Sequence, residues 1–197
     1  MKKIFLTIMI FTSFYFNDYV YAQSENNLNN QILVEGNYLR NLGTFGEVWS
    51  QAAGAYVGYG MFSEDHNLLM LRTGYMVHSL REEEETSGSF TVLPLQIGGR
   101  YYFTNSRIMP FFQFMNGFNI IFENMTLEGE SSDRTLVRYF WQVGIGGTFS
   151  LSNNINIDLG VNYNAAFYEN NKELYGEEGA MMTGFEYTIG FGWKFNN

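Results

Sequence analysis

Cysteine is absent from the 197 residues, and proline and histidine occur only twice each. Without cysteine the chain can build neither a disulfide scaffold nor a thiolate metal centre. Basic residues are scarce: 11 Lys and Arg stand against 20 Asp and Glu, a formal net charge of -9, the wrong sign for a nucleic-acid-binding surface. Long apolar runs are missing as well. The longest, from Ile4 to Phe16, stops at Asn17 and Asp18, short of the roughly 18 residues that a spanning helix needs. What is present is 46% hydrophobic and 18% aromatic residues with 21 glycines, which excludes an intrinsically disordered chain.

Lys2 and Lys3 precede the Ile4–Phe16 run, and Val20-Tyr21-Ala22 follows a short polar break. This order is that of a secretory signal peptide over residues 1–22, cut after Ala22. Cleavage removes two lysines and one aspartate and leaves a net charge of -10. Residues 23–30 form an N-terminal tail on the periplasmic side, and 31–197 form the folded domain.

Beyond residue 30 the hydrophobic period is 2 rather than 3.6. Ile155, Ile157, Leu159, Val161, Tyr163 and Phe167 alternate with Asn156, Asp158, Gly160, Asn162 and Asn164, which puts one face in apolar and the other in polar surroundings. Phe185–Phe195 and Val137–Phe149 repeat the pattern, with weaker copies near 31–40, 49–61, 68–79, 91–103 and 108–123. These make eight strands. Long connections (41–48, 80–90, 124–135, 168–181) alternate with short ones (62–67, 104–107, 152–154), and no helical pattern interrupts them. That rhythm predicts an all-β fold, an eight-stranded antiparallel up-and-down transmembrane β-barrel with its tight turns at one end.

A soluble barrel alternates too, with its apolar face inward. Three features favour the membrane. Most segments exceed ten residues, long for soluble sheets and suited to a tilted bilayer crossing. The polar face is rich in Gly and short polar groups, which fits a narrow lumen. Aromatic residues collect at both ends of the apolar face: Tyr101, Phe103, Phe149, Trp193 and Phe195 at one, Trp49, Tyr139, Trp141, Phe167 and Phe185 at the other. In the fifth segment parity sends Phe111, Met115 and Ile121 inward and Asn116 outward. Pro110 lacks a ladder donor, so a bulge is expected there, and Pro94 raises the same question.

Pro94-Leu95-Gln96-Ile97-Gly98-Gly99-Arg100-Tyr101-Tyr102-Phe103, a short turn and Pro110-Phe111-Phe112 resemble the central hairpin of small outer-membrane β-barrel proteins of the OmpA/OmpX-like porin superfamily of Gram-negative bacteria. The resemblance implies an outer-membrane location and a barrel without cofactors. The last strand is similar to that family's assembly signal, which implies that Tyr187, Phe191, Trp193 and Phe195 are read by the barrel-assembly machinery.

Candidate chemistry is sparse. His66 lies in a short turn beside Glu64 and Asp65; His78 is on the polar face near the outer end of the third strand. A lipid-directed hydrolase needs His, Ser and a carboxylate within reach of one another, yet the adjacent His78 and Ser79 point to opposite faces. Lumen packing is the simpler reading of His78. Neither His has a companion at metal-ligand spacing. Gly144-Ile145-Gly146-Gly147 looks like a phosphate loop but sits inside a strand with no following helix, where small lumen residues explain it.

Two charge groups remain. The long loops hold Glu82, Glu83, Glu84, Glu85, Glu128, Glu130, Asp133, Glu169, Glu173, Glu177 and Glu178. They read either as solvated loops or as oxygen ligands that bridge Ca²⁺ or Mg²⁺ to lipopolysaccharide phosphates. In the lumen, parity points Glu35, Arg72, Arg100, Asp158 and Lys194 inward in the periplasmic half, and Arg138, Glu186 and Glu123 inward in the outer half. Opposite charges at similar depths predict two ionic layers that plug the barrel. The function expected is a monomeric, non-enzymatic outer-membrane barrel with acidic external loops, its partners being membrane lipid and lipopolysaccharide. A narrow or gated channel is the alternative, and a lipid-directed hydrolase the third reading.

Overall fold

A computed structural model describes residues 29–63, 66–80, 86–127, 130–167 and 181–196. The expected signal peptide, most of the tail, and Glu82 to Glu85, Glu128, Glu169, Glu173, Glu177 and Glu178 lie outside the described residues. Eight strands follow one another: β1 (Asn29–Leu42), β2 (Trp49–Ser63), β3 (Asn67–Leu80), β4 (Thr86–Tyr102), β5 (Ile108–Leu127), β6 (Glu130–Ser150), β7 (Ile155–Phe167) and β8 (Met181–Asn196). Each pairs antiparallel with the next, and β8 returns to β1 to close the barrel.

The register fixes the shape. Following partners round the barrel, Gln31 leads to Gly60, Met70, Gly98, Met115, Gln142, Asn164, Gly184 and then Asn41, so one circuit advances ten residues along β1, from 31 to 41. Eight strands with that stagger must tilt, in the roughly 35–45° range of closed barrels, around an interior just wide enough for side chains to fill.

Burial settles inside from outside. Leu71, Ile145 and Ile189 are more than 60% exposed, whereas Glu35, Arg72, Gln113, Gln142, Asp158 and Glu186 are 1% exposed or less. A soluble barrel would show the reverse. An outward apolar face around a polar interior is what a bilayer-spanning barrel requires, and Tyr101, Phe103 and Trp193 at one end with Phe167 and Phe185 at the other lie exposed on that face.

Several expectations need correction. A short helix, α1 (Gly43–Val48), occupies the first long connection, starting at Gly43 with φ 64°. It turns Phe45 into the barrel mouth. Trp49 is not a girdle residue: between Trp49 and Gln51 the register with β3 shifts, because Ser50 is one residue too many for its partner strand. Such a bulge reverses parity, so Trp49 points inward and is fully buried. The expected bulge at Pro110 does not occur. Pro110 pairs with Gly147 without a register shift, and its carbonyl accepts the Phe103 N–H at 2.9 Å just past the last β4–β5 pair, Tyr102 with Phe111. A missing donor at a ladder end costs little. At Pro94 the β3–β4 ladder skips Gly74 and Tyr75 without changing register, and the Thr73 hydroxyl caps the Pro94 carbonyl at 2.9 Å. Phe111, Met115 and Ile121 do face the lumen.

Two of the long connections are also shorter than the pattern suggests. β5 and β6 stay paired from Ile108 with Phe149 to Leu127 with Glu130, taking up most of the expected 124–135 loop, and β4 begins at Thr86 inside the expected 80–90 loop.

Candidate functional site

The lumen is a layered plug. Toward the short-turn end an apolar cluster of Leu33, Leu68, Met70, Tyr102 and Phe111 packs beside the buried amides of Gln31 and Asn156. Toward the other end lies a second apolar cluster with Phe45, Trp49, Phe90, Ile121 and Phe140, in which the Phe45 and Trp49 rings lie 5.5 and 5.2 Å from that of Phe90. Between them runs a layer of charge.

Glu35 on β1 is the centre of that layer. One carboxylate oxygen accepts from Arg72 Nη1 at 2.7 Å and the other from Arg100 Nη2 at 2.8 Å. Arg100 Nη1 continues to Asp158, which also accepts from Thr148 at 2.7 Å and Asn156 at 3.1 Å. Each guanidinium spends its Nε on a glutamine: Arg72 on Gln96 and Arg100 on Gln113, both at 2.6 Å. Their flat faces lie against aromatic rings, Arg72 over Tyr56 at 4.0 Å and Arg100 over Phe111 at 4.4 Å. Every guanidinium nitrogen thus has an acceptor, which makes a buried ion network tolerable. Depth explains the meeting: β3 rises from a short turn and β4 descends to one, so Arg72 and Arg100 reach the level of Glu35 from opposite directions.

The other expected members behave differently. Glu186 is buried, but its contacts are neutral: Tyr56 Oη at 2.7 Å, Gln142 Nε2 at 2.6 Å, Asn162 Nδ2 at 3.3 Å and Asn164 Nδ2 at 3.2 Å. Gln142 joins it to the main layer by accepting from Arg72 Nη2 at 2.7 Å. Glu123 pairs with Arg134 at 3.0 Å near the rim, and Arg138 Nη1 donates to the Val137 carbonyl at 3.1 Å. Glu186 thus joins the first layer through Gln142, and Glu123 forms its ion pair with Arg134 nearer the rim. Lys194 is half-buried toward the short-turn end with Nζ 4.9 Å from the Phe62 ring centre.

Sequence reasoning missed Tyr56, Gln96, Gln113 and Gln142. The signal was there, since Gln96, Gln113 and Gln142 share the parity of the lumen charges; counting only charged residues passed over them. His78 is buried between Phe45 and Phe90, and its Nδ1 meets Asn41 Nδ2 at 3.0 Å. Asn41 also donates to the Trp49 carbonyl at 2.6 Å, so this amide ties β1 to the end of α1. His66 packs on Tyr101 at 6.2 Å. Among the described residues, no group of three or more His, Cys, Asp or Glu side chains could hold a metal ion. Tyr187, Phe191 and Trp193 are exposed along β8 on the lipid-facing side.

The chain matches no family model and no curated protein sequence. Its fold matches solved structures. Neisserial surface protein A shares 16% identity at a TM-score of 0.53, over 84% of this chain and 97% of that one. Ail, the attachment invasion locus protein of Yersinia pestis, shares 12% at 0.55, over 87% and 100%. The outer membrane protein OprG of Pseudomonas aeruginosa shares 13% at 0.56, over 89% and 99%. These likenesses concern the fold: the chain is a closed, eight-stranded, up-and-down β-barrel of the outer-membrane type, as its resemblance to small OmpA/OmpX-like barrels implies.

Proposed function

We propose that the protein is a sealed, non-enzymatic barrel in the outer membrane of a Gram-negative bacterium that works through surface contacts. The observation that carries this reading is the lumen, where an apolar cluster toward each end and a hydrogen-bonded ionic layer between them are buried among the described residues. Conduction by the resting barrel would require all three to move. The hydrolase reading has less support, because the described hydrogen bond of His78 is to Asn41 and the neighbouring Ser79 faces outward.

Surface presentation has support in the strand lengths. β3 stops pairing with β4 at His78 and Phe90, and β7 stops pairing with β6 at Ala166 and Phe140. β4, β5 and β6 continue together beyond those points to Thr86, Leu127 and Glu130. Three strands therefore project past the rim as a small sheet, a platform for partners. Ail of Yersinia pestis has been crystallised with the heparin analogue sucrose octasulfate, a polyanion. The 11 loop carboxylates of the present chain, set against Arg81, Arg134 and Lys172, turn that preference round, toward divalent cations that bridge to lipopolysaccharide phosphates and toward basic partners.

Planar-bilayer recording of the refolded barrel tests the sealed state. Baseline current without discrete steps is expected, and reproducible unitary steps would put the gated-channel reading first. Incubation with lipid A followed by mass measurement tests the absence of hydrolysis; loss of an acyl chain would overturn it.

A further inference from the structure

A hollow of about 660 Å³ opens on the outer wall of the barrel across β5 to β8. Two rows of side chains bound it. Phe103, Pro110 and Leu159 make the lower row, nearer the short turns: the Phe103 N–H donates to the Pro110 carbonyl, Pro110 pairs with Gly147, and Gly147 with Leu159. Ile145, Val161 and Tyr187, paired in turn, make the upper row. All six are exposed. The hollow exists because Gly147, central in the lower row, has no side chain, and a Cβ there would meet only the Phe149 ring, at 3.7 Å.

A cation stands at its foot. Arg107 closes the short turn before β5, three residues ahead of Pro110, about 10 Å away at the rise of a strand. Its Nε donates to the Ser150 carbonyl at 3.3 Å and its own carbonyl accepts the Ser150 N–H at 2.9 Å, so the guanidinium is drawn across the β5–β6 ladder beneath the hollow. Its Nη1 and Nη2 have no partner among the described residues. Beside it, the Ser152 hydroxyl accepts from the N–H groups of Asn154 and Ile155, which leaves its proton for an outside acceptor. Residues 104–107 and 151–154, the two turns at this foot, contain no carboxylate.

We propose that the hollow and its foot are a site for one glycerophospholipid of the periplasmic leaflet, with an acyl chain lying over Gly147 between the two rows and the phosphate held by Arg107 and Ser152. Hydrocarbon complements the apolar walls, and an anion complements a guanidinium with two free nitrogens. The leaflet follows from the turns, since an outer-membrane barrel keeps its short turns on the periplasmic side. The proposal rests on that orientation. It concerns the opposite end of the barrel from the acidic loops and leaves their partners unchanged.

Native mass spectrometry tests it on the refolded barrel, released from detergent after incubation with phosphatidylglycerol, diacylglycerol of the same chains, or lipid A. One phosphatidylglycerol should be retained per barrel, in preference to both other lipids. Gly147→Phe fills the hollow and should lower retention by more than about tenfold, the worth of a few displaced methylenes. Arg107→Gln should lower it about fivefold, the worth of one basic residue at a membrane surface. Val57→Phe, on the lipid-facing side of β2, should change nothing, and Arg107→Gln decides alone if Gly147→Phe fails to refold. Undiminished retention in Gly147→Phe or Arg107→Gln, equal retention of diacylglycerol, or a dimer that Gly147→Phe dissolves would each overturn the proposal. Orientation is checked separately with Ser106→Cys, which puts a single thiol into a chain that has none. An impermeant maleimide should leave it unlabelled on intact cells; labelling would invert the barrel and overturn the proposal by that route, whatever the masses show.

Discussion

Arg100 and Asp158 meet across the lumen from β4 and β7, 58 residues apart in sequence, in an ion pair closed to solvent. The same guanidinium holds Glu35 through its other terminal nitrogen. Removing it strands Asp158 and leaves Glu35 with Arg72 alone.

Arg100→Ala is therefore expected to lower stability by about 3–5 kcal/mol, and Asp158→Asn in the same chain to restore part of that loss by deleting one stranded charge. Urea unfolding in lipid vesicles measures both. A double variant no more stable than Arg100→Ala would remove Asp158 as the partner. Neither variant should produce unitary conductance steps, because the apolar clusters toward the two ends remain.

Gly144 and Gly147 should respond in opposite ways to one methyl group. A Cβ at Gly144 points into the lumen and would meet the Val161 carbonyl oxygen and Asn162 Cγ at 2.7 Å. At Gly147 it points to the lipid, with only the Phe149 ring at 3.7 Å. Gly144→Ala should cost about 1–3 kcal/mol by overpacking, and Gly147→Ala should stay within about 0.5 kcal/mol. Equal effects would contradict the face assignment of β6.

An arginine on the outer face reports depth. Val161 lies mid-strand on β7, so Val161→Arg should cost about 2–4 kcal/mol, whereas Met181→Arg at the outer end of β8 should cost about 0–1 kcal/mol. An arginine at Asn162 would be no mild control, since that amide is engaged with Gln113 and Glu186. Unfolding titrations in vesicles provide the comparison, and equal costs at 161 and 181 would argue against the bilayer placement.

Deleting Glu82 to Glu85 should weaken Ca²⁺-dependent binding of lipopolysaccharide, and added salt should weaken the intact protein's binding as well, because exposed charges are screened beyond roughly 8 Å at physiological ionic strength. Calorimetry with and without Ca²⁺ would show it. Unchanged Ca²⁺ dependence after deletion would leave these residues as a solvated loop.

Alternation made most of the fold legible, because each face of each strand meets one kind of solvent. Legibility failed where that rule has no purchase. Gly43-Thr44-Phe45-Gly46-Glu47-Val48 is too short and too glycine-rich to display a helical period, yet it forms α1. The reversal at Trp49 depends on one supernumerary residue, Ser50, that no pattern announces. Toward their paired ends, β5 as far as Leu127 and β6 from Glu130 show no apolar alternation in sequence, so these strands read as a loop. In the lumen, pairing opposite charges by depth located Glu35, Arg72, Arg100 and Asp158 at one level, and it sent Glu186 inward but assigned it charged companions, Arg138 and Glu123. The partners of Glu186 are amides and a phenol, which carry no sign to match.

β1 and β8 close the ring through fourteen pairs, from Asn29 with Asn196 to Leu42 with Thr183, whereas β5 meets β6 first at Leu127 and Glu130, only three residues apart. Short-range hairpins are cheap to form; a seam between the two ends of the chain carries the largest loop-closure entropy and belongs late in folding. Until it shuts, two strand edges present bare N–H and C=O groups that hydrocarbon cannot solvate. Glu35 sits in the β1–β2 hairpin, but Asp158 on β7 faces Arg100 across the lumen, so Arg100 waits for it until the ring closes. Lipid insertion, ring closure and charge neutralisation must therefore happen as one cooperative event, and no subset of strands should persist in the bilayer as a stable smaller barrel.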